Sequence, residues 1–133
     1  MIVDSSAIIA ILKREAQWQA LSKSLDAAVS ACISAATYLE TSIVVDGWRD
    51  PILSREFDEM MERFKIEIEP VTFEQAKIAR QAYRDYGKGS GHPANLNFGD
   101  CCNYALAREK REPMLWKGDD FGHTDLRPAV ERH

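Results

Sequence analysis

Apolar and polar positions switch along the chain between a period of two and a period near 3.6, and the switching predicts strands and helices in turn. Met1-Ile2-Val3 is a short apolar run closed by Asp4 and reads as a buried strand. Ser6 is placed to cap a helix over Ala7 to Leu12. Glu15 to Leu25 predicts a second helix, with Trp18, Leu21, Leu25 and Ala28 as its buried stripe. Val29 to Ile33 is a second short strand. Ser34 then caps a long helix to about Trp48, whose stripe is Ala36, Leu39, Ile43, Val44 and Gly47. Asp50-Pro51 opens the next helix, and Leu53, Phe57, Met60, Met61 and Phe64 form its packing face, for the core or for another chain. Ile66 to Val71 alternates, which predicts a strand with one buried face.

Thr72 caps a helix over about Phe73 to Tyr86, with Glu74-Gln75 near the capping-box position. Phe73, Ala76, Ala79, Ala82, Tyr83 and Tyr86 lie mostly on one side of it. Lys77, Arg80, Arg84 and Lys88 line another side, either as a solvated basic face or as a track for phosphates with tyrosines nearby for stacking. The glycine-rich run Gly87 to Pro93 lacks the order of a phosphate-binding loop and reads as a flexible loop able to close over a substrate. Asn97 or Gly99 starts a helix to about Lys110. Pro113 to Trp116 is the last strand, and Gly122 to His133 is an edge strand with a loose end. Strand and helix alternate throughout. The prediction is a single α/β domain over residues 1–133, with a mostly parallel sheet flanked by helices.

Against this pattern the acids stand out. Asp4 ends the first strand, where open α/β sheets collect functional groups. Glu40 lies inside an apolar stripe, where a surface glutamate does not belong, and so faces the interior or the rim of a cleft. Asp100 sits in the first turn of its helix, a place the helix dipole favours for purely structural reasons as well. Asp119 and Asp120 follow the last strand. Acids from separate segments, each beside core-like residues, predict one converging pocket that keeps its charges only if a cation joins them.

Composition sharpens this reading at few points. The chain is 45% hydrophobic and 29% charged, an ordinary globular balance, and no apolar run approaches the ~18 residues of a membrane span. Met1-Ile2-Val3-Asp4 enters a strand directly, with no basic leader. Cys32, Cys101 and Cys102 form neither a zinc pattern nor a disulfide framework, which fits a reducing cytoplasm. A net charge of -4 argues mildly against nucleic acid as a partner, but metal-binding acids supply part of it.

Carboxylate oxygens suit Mg2+ or Mn2+. Asp4 and Asp100 hold the metal most directly in this reading, Glu40 binds it or positions a water, and Asp119, preferred over Asp120, completes the site. One or two such ions orient a water and stabilise the leaving oxygen of a phosphodiester without a histidine base. His92, His123 and His133 show no ligand or triad spacing. Ser6 either caps its helix or hydrogen-bonds a carboxylate. An aspartyl-nucleophile phosphatase needs an acid where Ser6 stands, G-x-S-x-G is absent, and Cys101 reads as a structural thiol.

The same segments resemble the PIN-domain ribonucleases, and closely the VapC toxins of bacterial toxin–antitoxin pairs. Met1 to Leu12 resembles their first motif, with Ser5 where Thr is usual, and Ile33 to Glu40 resembles the second. Tyr86 to Gly89, Leu96 to Cys101 and Tyr104 to Ala107 resemble the third, and Leu115 to Phe121 with Thr124 to Leu126 resembles the end of the pattern. The resemblance implies a PIN-like α/β/α sandwich and metal-dependent RNA cleavage by Asp4, Glu40 and Asp100. It also implies a homodimer, and neutralisation by a small antitoxin whose tail occupies the acidic groove. Two other expectations stay open: a PIN nuclease of housekeeping RNA processing, and a non-enzymatic module whose acids hold a structural cation or a basic peptide.

Overall fold

The computed structural model describes residues 1–129. Its elements follow the chain as β1 (Ile2–Val3), α1 (Ser5–Leu12), α2 (Trp18–Ala27), β2 (Ala31–Ser34), α3 (Ala35–Gly47), α4 (Pro51–Arg63), β3 (Ile66–Glu69), α5 (Phe73–Tyr86), α6 (Phe98–Lys110) and β4 (Met114–Leu115), with a final 3-10 turn over Asp120–His123. The four strands form one parallel sheet in the order β3-β2-β1-β4. The chain steps outward from β1 to β3 and then crosses back to the other side of β1. That reversal puts a switch point between β1 and β4, the place where open α/β sheets bind their ligands at the carboxyl ends of the strands.

Strand parity builds the layers. Val3, Ile33 and Leu115 face one side, in a core with Ile8, Leu21, Leu25, Val45 and Phe57 from α1 to α4. Ile2, Cys32 and Met114 face the other, with Ala82, Leu96, Tyr104 and Leu106 from α5, its loop and α6. The result is the expected α/β/α sandwich. Among the described residues, no helix is long and apolar enough to cross a membrane.

Several local expectations change. Ser6 lies inside α1; the cap is Asp4, whose side chain accepts from the Ser6 N–H. Ser34 occupies the cap position of α3, but its side chain is buried in the sheet and makes no cap bond. The predicted stripe of α3 is turned outward, with Leu39 60% and Ile43 63% exposed, while Thr37, Thr41 and Val45 are buried. Two threonines go inside because each hydroxyl has an acceptor, Gly99 O and Thr37 O, both at 2.7 Å. On α5, Ala82 of the predicted apolar side is buried, but Phe73 and Tyr83 are exposed and Gln75 is buried. Of the predicted edge strand of the tail, the described residues show one parallel bridge, Pro128 beside Met114, and residues 130–133 lie outside them. Tyr104 OH fastens the preceding segment by donating to Asp125 Oδ1 at 2.7 Å.

Candidate active site

The acids gather at the carboxyl ends of β1 and β4. Asp4 leaves β1 buried, its N–H donating to Leu115 O at 2.9 Å across the switch point. Asp4 Oδ2 accepts from the Ser6 N–H at 2.9 Å, and Asp4 Oδ1 is buried without a hydrogen-bond partner. Burial pushes the Asp4 carboxyl above its ordinary value, against the opposing pull of its hydrogen bonding with Ser6. Ser6 also accepts from the Lys117 N–H at 2.9 Å on Oγ, tying the segment that carries Asp119 and Asp120 to α1.

Asp100 opens α6 in a capping box. Its Oδ2 accepts from the Asn97 N–H at 3.0 Å, and its N–H donates to Asn97 Oδ1 at 2.9 Å. Burial first, then the charge of Asp4, and further those of Asp120 and Glu40, hold the Asp100 carboxyl up at about 7. Three other acids, from the end of β1, from α3 and from the turn after β4, therefore bear on Asp100. Asp119 and Asp120 are both exposed, and the charge of Asp120 bears on Asp100.

Glu40 is half-buried on the flank of α3 that meets α6, although the apolar stripe from which its inward direction was expected faces outward. Its Oε2 accepts from the Gly99 N–H at 3.1 Å. Gly99 is required by this approach, since a Cβ there would stand 2.8 Å from Glu40 Oε2 and 2.9 Å from Glu40 Cδ. Thr37 engages the same residue on its carbonyl side, donating its hydroxyl to Gly99 O. Gly99→Ala should shift the flexible end of Glu40, costing about 1 kcal/mol or less in stability but roughly tenfold in activity. Parallel melting and turnover assays check it; equal activity would show that Glu40 needs no fixed position.

Among the described residues, no three His, Cys, Asp or Glu side chains stand ready-made as a metal-binding cluster. Asp4, Glu40 and Asp100 each accept from a backbone N–H on one oxygen. A divalent cation nevertheless fits the donor set. It is all hard oxygen, it contains the unpartnered Asp4 Oδ1, and its repulsions are relieved by positive charge.

The basic face is only partly available. Lys77 pairs with Glu74 at 3.1 Å and lies over the Phe73 ring. Arg80 lines an apolar groove of about 550 Å³ with Tyr83 and Phe98, while Arg84 and Lys88 are exposed. The glycine-rich loop is stitched at its base by the Gly87–Leu96 bridge, with Lys88 N–H donating to Leu96 O at 2.8 Å. His92 Nδ1 accepts from the Ala94 N–H within that loop, His123 lies in the 3-10 turn, and His133 is outside the described residues. Burial and the charge of Asp100 push the Cys101 thiol up to about 12, which leaves it a structural group. Asn103, Gly99 and Thr37 escaped the sequence reading, because their roles depend on partners 59 to 100 residues away.

Comparison with known proteins agrees with this architecture. A PIN domain model matches residues 1–126. Ribonuclease VapC28 of Mycobacterium tuberculosis is 56% identical over 132 residues, 99% of each chain. Ribonuclease VapC42 of the same organism is 47% identical over 129 residues, 97% of this chain and 98% of its own. Among solved structures, VapC20 of Mycobacterium tuberculosis, a sarcin–ricin loop cleaving toxin, superposes with a TM-score of 0.72 at 16% identity, covering 94% of this chain and 95% of its own. A toxin–antitoxin complex from Klebsiella pneumoniae gives a TM-score of 0.69 at 15% identity, covering 98% of each chain. Those two likenesses bear on the fold alone. With the family model spanning nearly all of it and such relatives along its length, the chain belongs to the PIN domain family and, within it, to the VapC ribonucleases.

Proposed function

We propose that the protein is a metal-dependent endoribonuclease, the toxin of a toxin–antitoxin pair, which hydrolyses RNA phosphodiester bonds at the acidic mouth between β1 and β4. The observation that carries this reading is the convergence of Asp4, Glu40 and Asp120 on Asp100, in a chain 56% identical to a ribonuclease. Asp4 and Asp100 would hold Mg2+, or Mn2+ in its place, with Glu40 and the Asp119-Asp120 pair at the rim. The chemistry such an ion supplies when bound is polarisation of a phosphoryl oxygen and of a water. Glu40, held by Gly99, positions that water. Asp120 is the fourth acid in this reading, because its charge bears on Asp100. Arg84 and Lys88, with Arg80 nearer the groove and Lys77 held back by Glu74, offer contacts to RNA phosphates.

The partners follow from the surface. Leu39, Ile43, Phe73 and Phe98 leave apolar area open on α3, α5 and α6, which supports a homodimer. The acidic mouth suits a basic tail of a small antitoxin. Three free, buried cysteines support a cytoplasmic location.

Total cellular RNA incubated with purified protein tests the reading. With Mg2+ or Mn2+ the wild type should release discrete fragments, and neither a chelated sample nor Asp4→Asn should. Asp120→Asn should lose roughly tenfold or more, and Asp119→Asn much less. Cleavage that survives the chelator would sink the metal assignment.

A further inference from the structure

We propose that Asn103 is a positioning residue that sets the spacing of the acid-bearing ends of β1, β2 and α6; the proposal rests on the nuclease reading above. Asn103 is completely buried and lies three residues beyond Asp100 on α6. Its Nδ2 donates to Val3 O at 2.8 Å, and its Oδ1 accepts from the Ser34 N–H at 3.0 Å. Val3 precedes Asp4, and Ser34 is the cap residue of α3, which carries Glu40.

These two bonds stand where a sheet rung should be. β1 and β2 pair in parallel at Ile2 and Cys32, and the Cys32 N–H donates to Met1 O at 3.0 Å. One rung further along, the Ser34 N–H would donate to Val3 O directly. Instead the Asn103 carboxamide is inserted between them, donor on one side and acceptor on the other, like an extra peptide unit. The strands are thus held apart at their carboxyl ends by a side chain of the helix that carries Asp100. One group spans the segments bearing Asp4, Glu40 and Asp100.

An isolated buried polar residue often serves only the fold, so the test must separate position from stability. Asn103→Ala leaves Val3 O and the Ser34 N–H without partners, whereas Asn103→Ser keeps a hydroxyl too short to reach both. Ile66→Val, a core change on the edge strand β3, provides a destabilised control remote from the acids. Mn2+ affinity by calorimetry, melting temperature, and kcat and KM on one RNA would be measured for each. We expect Asn103→Ser to weaken Mn2+ binding about tenfold and to lower kcat by a similar factor with KM unchanged, and Ile66→Val to shift only the melting temperature. Mn2+ affinity and kcat within about twofold of wild type in Asn103→Ser would overturn the proposal. Failure of the wild type itself to bind Mn2+ or cleave RNA would instead overturn the nuclease reading on which it stands.

Discussion

Asp100→Asn should reduce RNA cleavage on the order of a thousandfold or more and leave the fold intact. The two side chains have nearly the same volume, so packing at the head of α6 is preserved. The capping box survives too, because an amide oxygen still accepts from the Asn97 N–H that Asp100 Oδ2 now engages. What is lost is the negative charge on which the other acids converge. Turnover on a defined RNA, alongside circular dichroism and Mn2+ calorimetry, separates the outcomes. A folded variant that binds no Mn2+ and does not cleave confirms the role. Full activity would remove Asp100 from the site and with it the proposed centre.

The metal-free protein should become less stable as pH rises from about 4 to 7, and Asp100→Asn should flatten that slope. In the folded chain the Asp100 carboxyl is held at about 7, against an ordinary 3.8. Between these values the folded state keeps a proton that the unfolded chain has already released. Stability therefore falls with rising pH across this window and levels off above it. The effect is on the order of 2–4 kcal/mol, since each pKa unit corresponds to about 1.4 kcal/mol. Asp4, raised in the same direction by burial, adds to the slope. Divalent cation reverses the balance above pH 7, because it replaces the competing proton. Thermal melts from pH 4 to 8, with chelator and with Mn2+, check both signs. A metal-free melting temperature that climbs through this window would show that the Asp100 carboxyl is not raised in the folded chain.

Much of this was legible in the residues themselves. The parity of Ile2 and Val3, and of Met114 and Leu115, sends alternate side chains to opposite faces, so two short strands already imply two helical layers. Asn97 and Asp100 are three residues apart, and their reciprocal bonds start α6 with no help from elsewhere. Asp4 ends its strand, where a parallel sheet opens. Each of these depends on interactions within a few positions of the chain, which is why spacing alone reveals them. The stripe of α3 was misread for the converse reason. Leu39 and Ile43 have the hydrophobicity of core residues, yet Thr37 and Thr41 are buried because Thr37 finds its acceptor 62 residues away at Gly99 O.

The sequence by itself determined the order of strands and helices along the chain, the local caps at Asp50, Thr72 and Asn97, and which segments carry the acids. Only the tertiary structure decided how those acids are held. The close approach of Glu40 to Gly99, the charge of Asp120 bearing on Asp100, and the carboxamide of Asn103 set between β1 and β2 all join residues apart in the chain. Periodicity records which face a residue shows to its neighbours within a turn or a rung. It does not record which distant backbone group will satisfy a buried polar atom, because that is settled only when the sheet twists and the helices pack against it.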